Sequence, residues 1–334
     1  MRRIVILTLG ALVALVTAAP AIAGGFTWTK RGKIPHIIGS ADSISCPTTT
    51  LCVAAGGGNE IHWTTTAGGK GTAWKRAPVE PRADALGPFE IFDVSCPTAT
   101  FCVAGDDHSN VLTTTTPKAG AAGWQVAKLP SDTYVGVLAL SCASPVLCGI
   151  LDVSGYALTS VAPAGAWSRT RINATVNADL YDLSCVTGLC AATEANGKVW
   201  TTTDPSAQPA VWSERTLAKG GKRITTVACG SARLCVAGGD SSSLRVSTDP
   251  AGAAATWRSV KVKGLVSPHL YCKSASLCFA LSNTSVYVST KPTRAGSWVS
   301  KRLKSPTVLS AISCPTTRLC VLVDNGGTLW VGRR

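Results

Sequence analysis

Apolar and polar positions along this chain fall into short runs that repeat in a fixed order. A stretch in the manner of Val137-Leu138-Ala139-Leu140 leads into Ser-Cys, and a second Cys opens another apolar run. A β-branched Thr/Ser run follows, as in Val199-Trp200-Thr201-Thr202-Thr203-Asp204-Pro205. A Trp then introduces a segment that alternates apolar and basic residues, as in Trp257-Arg258-Ser259-Val260-Lys261. Gly, Asn, Asp and Pro clusters separate the runs, and no segment holds the spacing of an amphipathic helix. Each unit therefore predicts four short strands.

The unit recurs seven times. The cysteines pair as Cys46/Cys52, Cys96/Cys102, Cys142/Cys148, Cys185/Cys190, Cys229/Cys235, Cys272/Cys278 and Cys314/Cys320, with first members 42 to 50 residues apart. The phrase Ser-Cys-Pro-Thr-Thr-Thr-Leu-Cys-Val-Ala at 45–54 returns almost unchanged at 95–104 and 313–322. Four strands in such a period, repeated seven times, predict an all-β, seven-bladed propeller of four-stranded antiparallel blades. Blade cores are expected near 41–82, 91–132, 137–175, 180–220, 224–265, 268–306 and 309–334. The last repeat lacks its Trp strand, and Phe26-Thr27-Trp28-Thr29-Lys30-Arg31 supplies one, so the N-terminal strand at 26–35 is expected to close the seventh blade.

The chain has 334 residues, 46% of them hydrophobic and 15% charged, which excludes a disordered or polybasic-tail protein. Arg2-Arg3, an apolar stretch from 4 to 16 and Ala21-Ile22-Ala23 have the form of a secretory signal over 1–23, cleaved before Gly24. An uncleaved anchor is the alternative reading; no later span is apolar enough to cross a bilayer. Export into an oxidising compartment lets the even cysteine count be read as one disulfide per blade. Their spacing is longer than zinc knuckles use, and a Cys on either side of a tight hairpin suits a cross-strand bridge.

The Ser/Thr-x-Asp-Pro run followed by Trp resembles the Asp-box of BNR-like, sialidase-type propellers. Asp204 and Asp249 hold the Asp position, while Ala67, Thr116, Ala162 and Lys291 stand there in other repeats. The Cys-Pro-Thr-x-x-Leu-Cys-Val-Ala phrase looks like the repeat of secreted actinobacterial propellers. The resemblance implies a fold rather than an activity. Sialidase chemistry would need an arginine cluster and a Tyr/Glu pair. Gly32-Lys33-Ile34-Pro35 has Lys where that family's motif has Arg, no Arg recurs in the inner strands, and Tyr134, Tyr156, Tyr181, Tyr271 and Tyr287 are the only tyrosines.

Polar groups collect in the loops after each second strand: Asp106, Asp107 and His108, then Asp152, Glu194, Asp240 and Asp324. On the same face of a propeller lie the loops entering each Ser-Cys strand, with Arg82, Asp84, Asp132, Tyr134, Asp179 and Tyr181. These residues form the candidate ligand face; the competing account is that they are ordinary turn residues. His36, His62, His108 and His269 share no metal-ligand spacing, and Gly56-Gly57-Gly58 lacks the Lys-Ser/Thr of a phosphate loop. No cofactor is expected. Asn173-Ala174-Thr175 and Asn283-Thr284-Ser285 match the glycosylation sequon.

The net charge is +14, or +12 after processing. Nine residues counted from each strand Trp contain 17 of the 30 Lys and Arg that follow the signal, so the outer edge strand is the basic one. Lys and Arg on exposed edges prevent edge-to-edge pairing; a polyanionic envelope partner gripping the rim is the alternative. Together these features predict a secreted, monomeric binding or scaffold module. Its partner would be an extracellular glycan, a cell-envelope polymer or a protein, with no nucleic acid and no membrane. The alternative function is a glycan-active hydrolase or lyase, which would place two carboxylates, or a His with a carboxylate, in the central opening.

Overall fold

Seven four-stranded antiparallel sheets are arranged as blades around a central channel in the computed structural model, which describes residues 25–37, 40–79, 90–130, 136–172 and 179–334. The signal-like segment 1–23, Arg82, Asp84, Asp132, Tyr134 and the sequon at Asn173 lie outside the described residues. Six blades are simple meanders, such as Ser43–Thr48, Leu51–Ala55, Glu60–Thr64 and Lys75–Pro78 in blade 1. The seventh is composite. Leu309–Thr316, Leu319–Asp324 and Thr328–Arg333 come from the C-terminus, and Thr27–Lys33 supplies the outer strand, as the Trp28 segment predicted.

The core is divided into seven. Each hydrophobic cluster is shared by two neighbouring blades: Leu51, Val53 and Ile61 of blade 1 meet Ile91, Val94 and Leu112 of blade 2, and so on around the ring. A blade thus buries both faces only because it has a neighbour on each side, which is why the second strands are apolar without alternation. At the closing joint, Phe26 and Trp28 pack on Phe279 of blade 6 with centroids 5.4 and 6.5 Å apart.

All fourteen cysteines are paired as expected, one disulfide per blade: Cys46–Cys52, Cys96–Cys102, Cys142–Cys148, Cys185–Cys190, Cys229–Cys235, Cys272–Cys278 and Cys314–Cys320. Each bridge spans the first hairpin of its blade, with Cα atoms 3.9 to 4.1 Å apart. The second partners, Cys52, Cys102, Cys148, Cys190, Cys235, Cys278 and Cys320, are fully buried, and each belongs to one of the hydrophobic clusters between blades. The reason is their place at or near the start of the second strand, where both faces of the blade are covered. All seven are therefore core residues shielded from solvent.

The Thr/Ser run serves the third-to-fourth-strand loop. Its hydroxyl accepts the N–H two residues on: Thr64 from Thr66, Thr114 from Thr116, Ser160 from Ala162, Thr202 from Asp204, Ser247 from Asp249 and Ser289 from Lys291. Thr66, not Ala67, therefore stands where Asp204 stands. These hydroxyl turns replace backbone bonds that the loop cannot make. The following Trp then folds under: the indole N–H of Trp167 donates to the Pro163 carbonyl at 3.1 Å and that of Trp257 to Pro250 at 3.3 Å.

Candidate functional site

The channel is built by the seven innermost strands, and two tiers of side chains fasten them to one another. In the lower tier the Ser before each first Cys accepts the backbone N–H of the Cys in the next blade. Ser45 takes Cys96, Ser95 takes Cys142, Ser141 takes Cys185, Ser184 takes Cys229 and Ser313 takes Cys46, at 2.9 to 3.1 Å. Blade 6 has Tyr271 at this position, and its hydroxyl reaches the Cys314 N–H at 3.1 Å. Blade 5 has Ala228, and the ring is open there.

The second tier lies two residues upstream. Ser43 accepts from Val94 N–H, Asp93 from Leu140 N–H at 2.8 Å, Asp182 from Val227 N–H at 2.9 Å, and Thr226 from Leu270 N–H. Asp93 also accepts from the Ser43 hydroxyl at 2.6 Å, and Asp182 from the Thr226 hydroxyl at 2.8 Å. Burial pushes both carboxyls up to about 6, against the pull of these donors, and the charge of Asp182 adds to the rise at Asp93. Two carboxylates thus line one channel.

Above them the inner strands carry β-bulges. Pairing skips a residue between Ile91 and Asp93, between Val137 and Ala139, and two between Leu180 and Leu183. An unpaired bulge residue is turned out of the sheet pattern, and here it is Phe92, Leu138 and Tyr181, each more than a third exposed at the channel mouth. They stand on three successive blades and form an apolar arc. Tyr181 is held by Arg223, whose guanidinium lies 5.0 Å from the ring centroid and donates to the phenol oxygen. Val153, Val266 and Val308, also exposed, lie in loops of the same face. The opening is a cavity of about 640 Å3, whose wall also includes Asp42, Asp240 and His269. Burial lowers the His269 pKa, and the charge of Asp42 opposes that shift.

Of the residues expected on the ligand face, Tyr181 and Asp240 line this cavity. Of the others, Asp106, Asp107, His108, Asp152, Glu194 and Asp324 sit in or beside the second-to-third-strand hairpins, Asp179 lies just before the first strand of blade 4, and Arg82, Asp84, Asp132 and Tyr134 lie outside the described residues. Asp106 is fully buried and accepts from the backbone N–H groups of His108 and Asn110. Asp152 is fully buried, accepts from Ser154 and Tyr156 N–H, and pairs with Arg169 at 2.8 Å. Glu194 accepts the Trp200 indole N–H at 2.7 Å, and Asp324 accepts Thr328 N–H at 2.8 Å. Asp107 accepts Glu90 N–H and lies 2.5 Å from His108 Nδ1. These are bonds of turn-forming residues, which close the hairpins from within.

Asp42, Asp93, Asp182, Arg223, Phe92 and Leu138 escaped the sequence reading. The register that would have found them is fixed distance from Ser-Cys: three residues upstream for the mouth and two for the carboxylate tier. Among the described residues, no group of three His, Cys, Asp or Glu could hold a metal ion. No helix there is long and apolar enough to cross a membrane.

No family model and no curated protein matches this chain. Solved structures do match it in fold. One is described as YCF48 bound to D1 peptide, with a TM-score of 0.69 and 10% identity, covering 92% of this chain and 97% of that one. Another is a streptogramin B lyase structure, with a TM-score of 0.72 at the same identity and coverage. At such identity the likeness speaks for the propeller alone.

Proposed function

We propose that this protein is an exported, extracellular binding module that grips a segment of a partner protein at the mouth of its channel. An apolar side chain of the partner would lie on the Phe92, Leu138 and Tyr181 arc, and a neighbouring Lys or Arg would enter the channel toward Asp93 and Asp182. The observation that carries this reading is the joining of an exposed apolar arc and a pair of carboxylates in one cavity. Apolar anchors beside a confined opposite charge are the usual source of affinity at protein interfaces. A propeller neighbour bound to a peptide is consistent with it. The protein would act as a monomer, exported by residues 1–23, and its hydroxyl turns ahead of Trp suit an Asp-box-like repeat of the secreted actinobacterial kind.

The enzyme alternative has one observation in its favour: the opening does hold two carboxylates and His269, as a hydrolase or lyase would require, and one neighbour is a lyase. Against it, the oxygens of Asp93 and Asp182 already accept amides and hydroxyls from adjoining blades.

The test is a titration with short capped peptides of the form Leu-Lys-Phe and Leu-Gln-Phe. Binding of the Lys peptide, and its marked weakening in Asp182→Asn and in Phe92→Ala, is the expected result. Equal binding of both peptides, or equal binding by all three proteins, would sink the proposal.

A further inference from the structure

The positive charge of this protein is not spread around the ring. Blades 5 to 7, residues 25–37 and 224–334, carry 17 Lys and Arg against 3 Asp and Glu. Residues 38–223, which make blades 1 to 4, carry 13 against 15. One side of the propeller is therefore at +14 and the other at −2.

The excess sits on the outer strands. The segments 258–263, 299–304 and 28–33 belong to blades 5, 6 and 7, and each holds three cations and no acid. Lys30, Lys33, Lys261, Lys301 and Arg302 are all exposed. The three acids of this sector lie elsewhere: Asp240 lines the channel, Asp324 is buried in its hairpin, and Asp249 sits in the loop after the third strand of blade 5. In blades 1, 3 and 4 one outer-strand charge each is paired in place, by Arg76–Glu60 at 3.2 Å, Arg169–Asp152 at 2.8 Å and Lys198–Glu214 at 3.0 Å. Among the described residues, no ion pair joins an outer-strand cation of blades 5 to 7 to an acid.

Protection against edge pairing does not account for this. Blades 1, 3 and 4 protect their edges with mixed charge, and accumulating one sign costs stability by self-repulsion. We infer that the rim of blades 5 to 7 is a binding surface for a flexible, linear polyanion, a chain of phosphate or carboxylate repeats that wraps across the three blade edges. In each segment one pair of cations is two residues apart (Arg31/Lys33, Lys261/Lys263 and Arg302/Lys304), about 7 Å in extended backbone and of the order of polymer repeats. The three blades turn through roughly 150° of the ring, so a flat bilayer or a stiff duplex would touch one edge at a time. Single-stranded nucleic acid would want exposed aromatic platforms, and here Trp257 is buried while Trp28 and Trp298 are half-buried.

The experiment titrates the protein against inorganic polyphosphate and poly-L-glutamate, with duplex DNA and vesicles containing anionic phospholipid as the rigid and flat alternatives. Both flexible polymers are expected to bind, with affinity falling roughly three-hundredfold to a thousandfold between about 50 and 200 mM salt, as for some six neutralised charges. Changing Lys30, Lys33, Lys261, Lys301 and Arg302 together to Gln should lower that affinity by roughly tenfold or more and flatten the salt dependence. The same change at five exposed lysines of blades 1 to 4 (Lys70, Lys75, Lys118, Lys219 and Lys222) should alter it by no more than about twofold. If the fivefold variant does not fold, Lys301→Gln with Arg302→Gln alone should still show a loss of several-fold. Equal losses in the two sets would reduce the effect to net charge and overturn the inference. So would tighter binding to DNA or to vesicles, or no binding to either polymer.

Discussion

The hydroxyl of Ser45 in blade 1 accepts the backbone N–H of Cys96 in blade 2 at 2.9 Å, across 51 residues of chain. The Ser-Cys dipeptide thus does two tasks at neighbouring positions. The Ser joins a blade to the next one, and the Cys clamps the blade's own first hairpin. The bond is repeated in five of the seven joints, Tyr271 spans a sixth, and Ala228 leaves the seventh unbridged. Restoring it is the first prediction. Ala228→Ser should give the Cys272 N–H a hydroxyl acceptor of the kind the other joints have and stabilise the protein by about 1 kcal/mol, while Ser95→Ala should cost about the same or somewhat more. Thermal or denaturant unfolding measures both; an Ala228→Ser protein no more stable than the parent would mean that the joint has no room for the bond.

Trp28 provides the second. It lies directly opposite Gly332 in the sheet, and a Cβ on that glycine would come within 2.8 Å of the indole ring. The contact is the latch of the ring, because Thr27–Lys33 is the only strand of blade 7 that comes from the N-terminus. Gly332→Val should displace the indole and cost about 1 to 3 kcal/mol, the usual penalty for overpacking. Gly230→Val, at a tight joint between blades 5 and 6, is the comparison that separates a local clash from loss of closure: only the latch variant should expose the N-terminal strand to early proteolysis.

How far the sequence carried the reading differs between fold and site. The blade count, the paired cysteines and the borrowed Trp28 strand were legible because each is a periodic or unmatched feature of a repeat. The channel was not, and the bulges explain why. They place Phe92 beside Asp93, and Tyr181 beside Asp182, in strands whose register skips there. Alternation, the signal that separates inward from outward positions, fails at the very residues that face the channel. Conversely, Asp106, Asp152 and Asp324 look like free loop acids in the sequence. Their burial and their bonds to hairpin N–H groups exist only once the turn has formed.

The third prediction concerns acid stability. His62 is buried, 2% exposed, and burial pushes its pKa down to about 4, with the charge of Arg76 acting in the same direction. Its folded pKa lies below its unfolded value of 6.5, so the stability it supports is present above pH 6.5 and is lost as pH falls through 4. The advantage of the parent over His62→Gln should shrink by about 3 kcal/mol across that window. A constant difference between the two unfolding curves would show that His62 does not titrate in this way.

Asp93 and Asp182 act in the opposite sense, and they give the last prediction. Their folded values, about 6, lie above the ordinary 3.8, so their protonation stabilises the fold below that range and the gain is lost as pH rises through 6. Binding runs the other way. A partner's Lys or Arg is attracted by the charged carboxylates, which are fully formed near pH 7.5 and largely neutral near pH 5. Affinity for the Leu-Lys-Phe peptide should therefore fall as the solution is acidified from pH 7.5 to 5, while thermal stability, once the His62 contribution is removed in His62→Gln, rises. Asp182→Asn should weaken both trends together, because one of the two titrating groups is gone. An affinity that is constant over this range in the parent protein, or that changes equally in Asp182→Asn, would detach the carboxylate pair from ligand binding and leave it as a fastener between blades.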